Sequence, residues 1–539
     1  MNKNYDKITL LTKPEQSGKT FLMLQKIVEC FSEEPRDDGR VNINFIICDN
    51  NLLLVLQTSK RINNDESLNQ FRNIETGVIY VEFSSSKRTI TKTSDSIYRL
   101  ITSKKVSNII CCSNGTRCDD ILNIIKDINK YMGHMFHFNI WYDEADKFNR
   151  LIRKYIVPVL NDYDNVSLFL ITATPKRTIQ EFGEIKIWPI QNPTSKDYHS
   201  WNDNKIKSYS NNICSNTYGF VNYILNKHKK HIKRKTKWFI PAGAYKKSHM
   251  KVKDICMRKE FATMIINGDG IKIYMPNGRV YDELKNEMPS TLIPKIYNKY
   301  KLYKYPFAIT GLYCISRGIS ISSNNFMLTH GIMPFNIRNK SEASQIAGRM
   351  KGNHKHWANY KKPIIFCTKK FDNIAKEMEK KTISLAKLAF EENWETVTLE
   401  KFKTVEKDYY AFTYPEPFIT YQKAIKYLKT QETHIGKLKK KRGNSINSIH
   451  QCGNELNGFY VSSRMMKKKI IMEDNDNEAT KQRLIKSKFD SISEGYNLSA
   501  PNKKGQKWMI YPVYENLSTP WNEVKYYVRH IKKRKKTNS

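Results

Sequence analysis

Short apolar runs alternate with segments of helix-compatible composition in the first part of this 539-residue chain. The runs occupy 7–12, 44–48, 78–83, 107–112, 138–142 and 167–171. Buried parallel strands are short continuous apolar runs, and a helix usually connects one parallel strand to the next. The alternation therefore predicts a parallel α/β sheet. No repeat of about 20 to 50 residues is visible, which argues against a solenoid.

The chain is too long for one hydrophobic core, and its pattern changes three times. A polar and basic stretch follows the first set of runs, and apolar runs then resume at 237–241, 262–266, 307–310, 326–329 and 363–367. We predict a first α/β domain at 1–195, a basic linker region at 196–234 and a second α/β domain at 235–395. Residues 396–539 form a basic C-terminal domain, which we expect to bind nucleic acid.

The charge of the chain favours a polyanionic partner. Lys and Arg number 92 against 52 Asp and Glu, a formal net charge of +40. Nucleic acid is the obvious polyanion, and a membrane surface is disfavoured. No apolar stretch approaches the roughly 18 to 20 residues of a membrane helix, so we expect a soluble intracellular protein. The ten cysteines have no C-x-x-C spacing, which favours reduced thiols over disulfides or zinc.

Ser17, Gly18, Lys19 and Thr20 follow the first apolar run and precede a helix-compatible segment. This order of strand, loop and helix is the context of a phosphate-binding loop. Backbone N–H groups would bind phosphate oxygens, Lys19 would pair with the β and γ phosphates, and Thr20 would ligate Mg²⁺. Lys13 stands where the usual pattern has its first glycine. Taken alone, the segment is equally compatible with a surface loop.

The run at 138–142 ends in Asp143, Glu144, Ala145 and Asp146. Asp143 would hold Mg²⁺ directly or through water, and Glu144 would orient or deprotonate an attacking water molecule. An acidic helix cap would explain one of these carboxylates but not the whole arrangement.

With these motifs the chain resembles the superfamily 2 DEAD-type helicases and translocases over about residues 5–370. The resemblance implies two tandem RecA-like parallel-sheet domains with a basic C-terminal extension. Thr172 and Thr174 resemble the family's motif III, which couples nucleotide state to the grip on nucleic acid. In the segment resembling motif VI, Gln345 would contact the γ-phosphate and Arg349 would be the arginine finger. Gly352 stands where the family often has a second arginine.

The same resemblance implies a track for a nucleic-acid strand. Three loops after predicted strands are placed like motifs Ia to Ic, one loop like motif IV, and another like motif V, which would join the strand to the ATP cleft. Ordinary solvated turns remain the alternative for each loop. The residues concerned are Thr58, Arg61, Ser85, Gly115, Thr116, Arg117 and Gly243 for nucleic-acid binding, with Arg317 and Gly318 for coupling.

The resemblance implies an enzyme that couples hydrolysis of ATP, with Mg²⁺, to movement on or unwinding of DNA or RNA. Composition and motifs also resemble helicases of large AT-rich DNA viruses, whose relatives serve replication, transcription or repair. Host cytoplasm, viral factory or virion, and nucleus are not distinguished. Two alternatives stay open: a nonhydrolytic nucleic-acid-binding or assembly protein on this fold, and a motor subunit working with a partner nuclease. Polarity, pathway and oligomeric state stay open as well.

Overall fold

The computed structural model describes the greater part of the first 405 residues and short segments beyond them. The chain divides into two compact units, Met1–Val397 and Thr398–Ser539. Among the residues described, no helix has the length and apolar character that crossing a membrane requires. The described ranges are 7–32, 39–50, 52–64, 66–71, 79–83, 93–243, 245–284, 287–311, 321–337, 339–405, 409–413, 418–420, 422–424, 426–427, 460–461, 506–514 and 525–533.

The first half of the larger unit alternates strands with helices. Each of the six predicted apolar runs overlaps a strand. The strands are β1 (Ile8–Thr12), β2 (Val41–Cys48), β3 (Val81–Phe83), β4 (Asn108–Cys112), β5 (Phe136–Asp143), β6 (Val166–Thr172) and β7 (Ile185–Ile187). The helices are α1 (Lys19–Ser32), α2 (Leu52–Asn64), α3 (Ser94–Thr102), α4 (Gly115–Met132), α5 (Asn149–Leu151), α6 (Val157–Asp162) and α7 (Lys176–Phe182).

These strands form an eight-stranded sheet with β1 near its middle. The order is β18, β7, β1, β6, β5, β2, β4, β3, where β18 (Thr396–Val397) is an antiparallel edge strand and every other pairing is parallel. Residues of β4 are buried on both faces because helices cover the sheet on each side. The carboxyl ends of β1, β5 and β6 therefore meet at one edge, and Thr12 pairs with Thr172 there.

The second half of the larger unit repeats this plan. Its strands are β8 (Tyr198–His199), β9 (Lys205–Tyr209), β10 (Lys237–Phe239), β11 (Ala262–Asn267), β12 (Gly270–Tyr274), β13 (Val280–Glu283), β14 (Phe307–Thr310), β15 (His330–Ile332), β16 (Gly352–Asn353) and β17 (Ile364–Thr368). Its helices are α8 (Thr217–Lys227), α9 (Lys246–Met257), α10 (Pro289–Lys299), α11 (Lys340–Ala347) and α12 (Lys369–Glu391).

The second sheet also has eight strands, in the order β13, β12, β11, β14, β10, β15, β17, β9. Its two antiparallel pairings join β11, β12 and β13 at one edge, and the others are parallel. Two tandem parallel-dominated sheets confirm the predicted fold class of two RecA-like domains. The domain boundaries stay a prediction, although the range 196–234 contains β9, which pairs with β17 of this sheet.

One apolar run lies just before its strand rather than in it. Residues 326–329 were expected to be a strand, whereas β15 begins at His330. Phe326 and Leu328 are buried in the core of the second domain, where Phe326 contacts the ring of Tyr297. Their apolar character therefore reflects packing against other side chains rather than a place in the sheet.

The smaller unit contains helix α13 (Leu399–Thr404) and a four-stranded antiparallel sheet. Its strands are β19 (Tyr409–Thr413), β20 (Tyr460–Val461), β21 (Gln506–Tyr514) and β22 (Lys525–Lys533), in the order β19, β22, β21, β20. Within β22, Lys525 is exposed and Tyr526 is buried. Binding of nucleic acid by this basic segment stays a prediction.

Candidate functional site

The predicted phosphate loop connects β1 to α1 in a tight turn. Gln16 and Gly18 have φ angles of +57° and +92°, and the second value favours glycine strongly. Ser17 donates from its hydroxyl to the Pro14 carbonyl at 2.8 Å, which stabilises the turn. Lys19 is the first residue of α1, so the loop brings a lysine and the first N–H groups of the helix to one place. That arrangement suits an anion.

Lys13, which replaces the usual first glycine, fits the loop without backbone strain. It is not among the described residues that have a positive φ. Burial lowers the pKa of its ammonium group, and the nearby charge of Lys19 lowers it further. The substitution therefore adds a second lysine near the loop and leaves the turn intact.

The acidic turn lies beside the phosphate loop because β5 and β1 both pair with β6. Asp143 ends β5, and its Oδ1 accepts a hydrogen bond from the Glu144 backbone N–H at 2.9 Å. Glu144 has a left-handed backbone with φ +52°, an uncommon conformation for this residue type. Burial raises the pKa of Asp143, and the charge of Lys19 opposes that shift.

The second domain meets this acidic turn through α11. Gln345 donates from Nε2 to Glu144 Oε2 at 2.9 Å, a buried contact between residues of the two sheets' domains. Arg349 lies one turn further along and is only 6% exposed. Its Nε and Nη1 have no hydrogen-bond partner within the described part of the chain. Burial lowers the pKa of Arg349 to about 10, against the opposing charges of Glu144 and Glu15, so the side chain stays protonated near neutral pH.

A cavity of about 660 Å³ lies between the two domains of this unit. A buried guanidinium with unused donors is costly unless an anion joins it, so the charged end of the cavity is suited to a phosphate group. The lining also includes apolar side chains, among them Phe21, which is 58% exposed. The charged end is formed by residues of both domains, and the apolar lining residues come from α1 and from the start of α10. The charged end comprises Lys19, Thr20, Asp143, Glu144, Gln345 and Arg349, and the apolar lining comprises Phe21, Leu24 and Met288.

The donor set at the charged end fits a magnesium ion. Thr20 supplies a hydroxyl oxygen and Asp143 a carboxylate, and hard oxygen ligands are those that Mg²⁺ prefers. Arg61 donates from Nη1 to Thr20 Oγ1 at 2.8 Å, and its charge also acts on Asp143. A cationic group therefore lies beside both candidate ligands, and it would have to release the Thr20 hydroxyl for that oxygen to bind Mg²⁺.

A buried hydrogen-bond network connects the acidic turn to both the predicted motif III and α11. Asp146 accepts from the Thr172 hydroxyl at 2.8 Å and from the Ser341 hydroxyl at 3.0 Å. Thr174 Oγ1 lies 3.0 Å from Ser341 Oγ, and its backbone N–H donates to Thr172 Oγ1 at 2.9 Å. The two threonines predicted to couple nucleotide state to nucleic-acid grip thus contact residues of both domains. Their coupling role stays a prediction.

Two of the residues predicted for nucleic-acid binding make side-chain contacts within the first domain. Arg61 lines the nucleotide-sized cavity rather than an outer surface, because the last turn of α2 points it at Thr20. Thr58 is 4% exposed and its hydroxyl lies 3.4 Å from Cys48 Sγ, so it is part of the interior. Their roles in nucleic-acid binding stay a prediction.

The remaining predicted track residues divide into three groups. Gly115 and Thr116 begin α4, and Gly243 follows β10, so both loops lie at the carboxyl edges of their sheets. Arg117 is close by, but its Nη1 pairs with Asp120 at 2.7 Å and its guanidinium lies over the Phe83 ring. Ser85, Arg317 and Gly318 lie outside the described residues.

The packing around Gly352 explains the missing second arginine. Its φ is +140°, and a Cβ atom built there would lie 3.2 Å from both Gln16 Cβ and His354 Nδ1. A side chain at this position would press on the phosphate loop. The residue before it, Lys351, is buried, and its Nζ lies 2.7 Å from Glu15 Oε2.

Sequence reasoning missed Glu15, Ser341 and Lys351. The sequence did contain a signal for Glu15, because a carboxylate within an anion-binding loop needs a cation nearby. The signal for Ser341 was its position four residues before Gln345, on the same face of a helix. No local pattern reveals the partner of Lys351, because Glu15 lies far away along the chain.

Comparison with known proteins gives structural likeness only. No family model and no curated protein matches the chain. The DEAD-box helicase Mss116 bound to ssRNA and UDP-BeF has a TM-score of 0.40 and 12% identity, with 75% of this chain and 74% of that chain covered. A DEAD box protein from the hyperthermophile Methanococcus jannaschii has a TM-score of 0.33 and 17% identity, with 71% and 87% covered.

A third solved structure is a nuclease-deletion mutant of the Type ISP restriction-modification enzyme LlaGI in complex with a DNA substrate mimic. It has a TM-score of 0.37 and 14% identity, with 80% of this chain and 32% of that chain covered. This chain therefore spans about a third of the LlaGI chain. The fold assignment given above depends on strand order and register, not on these alignments.

Proposed function

We propose that this protein is an ATP-dependent helicase or translocase that acts on DNA or RNA. One observation carries the proposal: a single cavity receives Lys19, Asp143 and Glu144 from the first domain and Gln345 and Arg349 from the second. A site completed by two domains hydrolyses nucleotide only when they are together. Such a requirement couples hydrolysis to domain movement.

Each side chain has a definite part in the proposed hydrolysis. Lys19 and the N–H groups at the start of α1 would hold the phosphates, and Glu144, oriented by Gln345, would align a water molecule for attack. Arg349 would stabilise the charge that develops on the transferred group. Thr20 and Asp143 would hold Mg²⁺, which neutralises phosphate charge when it is bound.

The apolar lining residues of the cavity are suited to the base of the nucleotide. Phe21 follows Thr20 on α1 and presents an exposed ring, and Met288 faces the same cavity from the second domain. A planar base stacks favourably on an aromatic ring, by about 1–3 kcal/mol. Preference for ATP over other nucleotides stays an expectation from the family resemblance.

Phe21→Ala is expected to raise the KM for ATP about tenfold and to leave kcat within about twofold, because stacking acts on the bound nucleotide rather than on the reaction. Steady-state kinetics measures both constants. Inorganic triphosphate, which has no base, should inhibit parent and variant equally. Phe390→Ala, another exposed phenylalanine, is the control and should behave as the parent. An unchanged KM in Phe21→Ala would exclude this base position.

A strand of nucleic acid would cross the carboxyl edges of the sheets, the usual ligand-binding edge of an open parallel sheet. The loops at Gly115 and Gly243 lie there and offer backbone groups for phosphate contacts. Tyr245, directly before α9, is 76% exposed. It is an aromatic side chain on which an unpaired base could stack.

Tyr245→Ala should weaken binding of single-stranded nucleic acid about tenfold, since one base loses its stacking partner. Fluorescence anisotropy with a labelled oligonucleotide measures this at fixed salt concentration. Tyr131→Ala is the matched control, because Tyr131 is 67% exposed but lies at the far end of α4, towards the amino edge of the sheet. Equal losses in the two variants would contradict a track at the carboxyl edge.

The proposed function is tested by measuring ATP turnover of the parent and of Glu144→Gln, each without nucleic acid, with single-stranded DNA and with RNA. We expect at least one nucleic acid to raise turnover of the parent and the variant to be inactive. No turnover under any condition, with nucleic acid still bound, would favour the nonhydrolytic alternative. Duplexes with 3′ and 5′ overhangs then distinguish strand separation from translocation and establish polarity.

A further inference from the structure

Glu15 is an acidic residue within the phosphate loop, and its carboxylate is directed to the second domain. It is 2% exposed. Oε1 accepts a hydrogen bond from the Ser344 hydroxyl, and Oε2 lies 2.7 Å from Lys351 Nζ. The Lys351 side chain is completely buried. Because both charges are buried, the pair contributes only if the two domains keep this arrangement.

The contacts of Glu15 follow one side of a continuous helical segment. Ser344 belongs to α11, and Gly348 begins the 3₁₀ turn that continues it. A Cβ atom at Gly348 would lie 2.7 Å from Glu15 Cβ, so the segment approaches the loop as closely as a glycine permits. Lys351 comes three residues later. Between these three positions lie Gln345 and Arg349, the two cavity residues of this segment.

A second carboxylate completes the surroundings of Lys351. Glu379 Oε1 lies 3.5 Å from Lys351 Nζ and 2.8 Å from the Tyr198 hydroxyl, which also lies 3.1 Å from the Glu15 carbonyl oxygen. Burial alone would raise the pKa of Glu15, but Lys351 and Ser344 bring it below its ordinary value. The two acids likewise raise the pKa of Lys351. The pair is therefore ionised across the neutral range.

We infer that Glu15 is a positioning residue for the second domain's half of the site: it fixes the segment that carries Gln345 and Arg349 to the loop that would hold the phosphates. The inference rests on the proposed function. A phosphate bound by the loop and the guanidinium that would act on it then keep a constant separation. Lys351 provides the cation for this contact.

The test compares the parent with Glu15→Gln and with Glu15→Gln/Lys351→Met, using the full chain. The single variant keeps an oxygen for Ser344 but leaves Lys351 without its closest counter-charge. We expect kcat for ATP to fall about thirtyfold, KM to change by less than threefold, and the melting temperature to drop. The double variant removes the unpaired lysine, so its melting temperature should recover while kcat stays at least tenfold low.

A purely structural role for Glu15 predicts that kcat recovers together with the melting temperature, and that result would overturn the inference. Glu377→Gln is the control, since Glu377 forms partly exposed ion pairs with Lys340 and Lys381. If the parent turns over ATP and Glu15→Gln has the same kcat, the positioning role is refuted but the proposed function is not. An inactive parent refutes the proposed hydrolysis.

A binding measurement keeps the positioning role testable even in an inactive parent. ADP with aluminium fluoride imitates the transferred phosphoryl group, and its affinity relative to ADP alone reports on the placement of Arg349. We expect Glu15→Gln to reduce that ratio about tenfold. An unchanged ratio would count against the inference irrespective of turnover.

Discussion

Arg349→Ala is expected to lower ATP turnover about a thousandfold while leaving ATP affinity within about threefold. An arginine at the transferred phosphoryl group contributes about 10³ to 10⁵ in rate where it acts as a finger. Arg349 is buried at the cavity with Nε and Nη1 unpaired in the described structure, so its donors are aligned before any nucleotide binds. Single-turnover kinetics gives the rate, and fluorescent nucleotide titration gives the affinity.

Two further variants sharpen this prediction. Arg349→Lys keeps the charge but loses the planar fork, so it should recover no more than a small part of the lost rate. Arg279→Ala is the control, because Arg279 is exposed in the turn between β12 and β13. If Arg349→Ala turns over ATP within threefold of the parent, Arg349 of the second domain does not contribute to hydrolysis.

Glu144→Gln is the second change for which we expect a large loss, about a thousandfold in kcat with little effect on ATP binding. General base catalysis contributes about 10² to 10⁴, and the amide cannot accept the proton of the attacking water. The substitution preserves size, so Gln345 can still donate to the side-chain oxygen that it contacts at 2.9 Å. The loss should therefore reflect proton transfer rather than a changed shape.

The left-handed backbone at this position calls for a matched control. Glu260→Gln makes the same chemical change at another glutamate with positive φ, +59° against +52°, on an exposed turn. It should leave turnover unchanged. A loss in both variants would indicate that the backbone, not the carboxylate, responds to the substitution.

Strands whose residues are buried on both faces, such as β4 and β14, are among those that the sequence predicted correctly. The missed strand β9 has the pattern Lys205, Ile206, Lys207, Ser208, Tyr209, with no residue fully buried, because it is an edge strand. Charged side chains are typical of sheet edges. An apolar-run criterion therefore overlooks an edge strand with this charged composition, although it did find the edge strand β3.

The order of the motifs in the sequence predicted many of the residues that line the cavity. It did not predict the direction in which every side chain points. Lys19, Glu144 and Arg349 were expected together and line one cavity. Arg61 follows the correct strand, yet whether a residue of α2 faces the cavity or solvent depends on its position around the helix. Contacts such as Glu15 with Lys351 depend on two domains meeting, and no spacing within either domain encodes them.

The central claim is that both domains supply one hydrolytic site, and the double variant Glu144→Gln/Arg349→Ala tests it most directly. The effects of substitutions at residues that act on one step are not additive. We therefore predict that the double variant turns over ATP within about tenfold of the slower single variant. Parent-like turnover in Arg349→Ala, together with an inactive Glu144→Gln, would contradict the claim. Hydrolysis would then belong to the first domain alone.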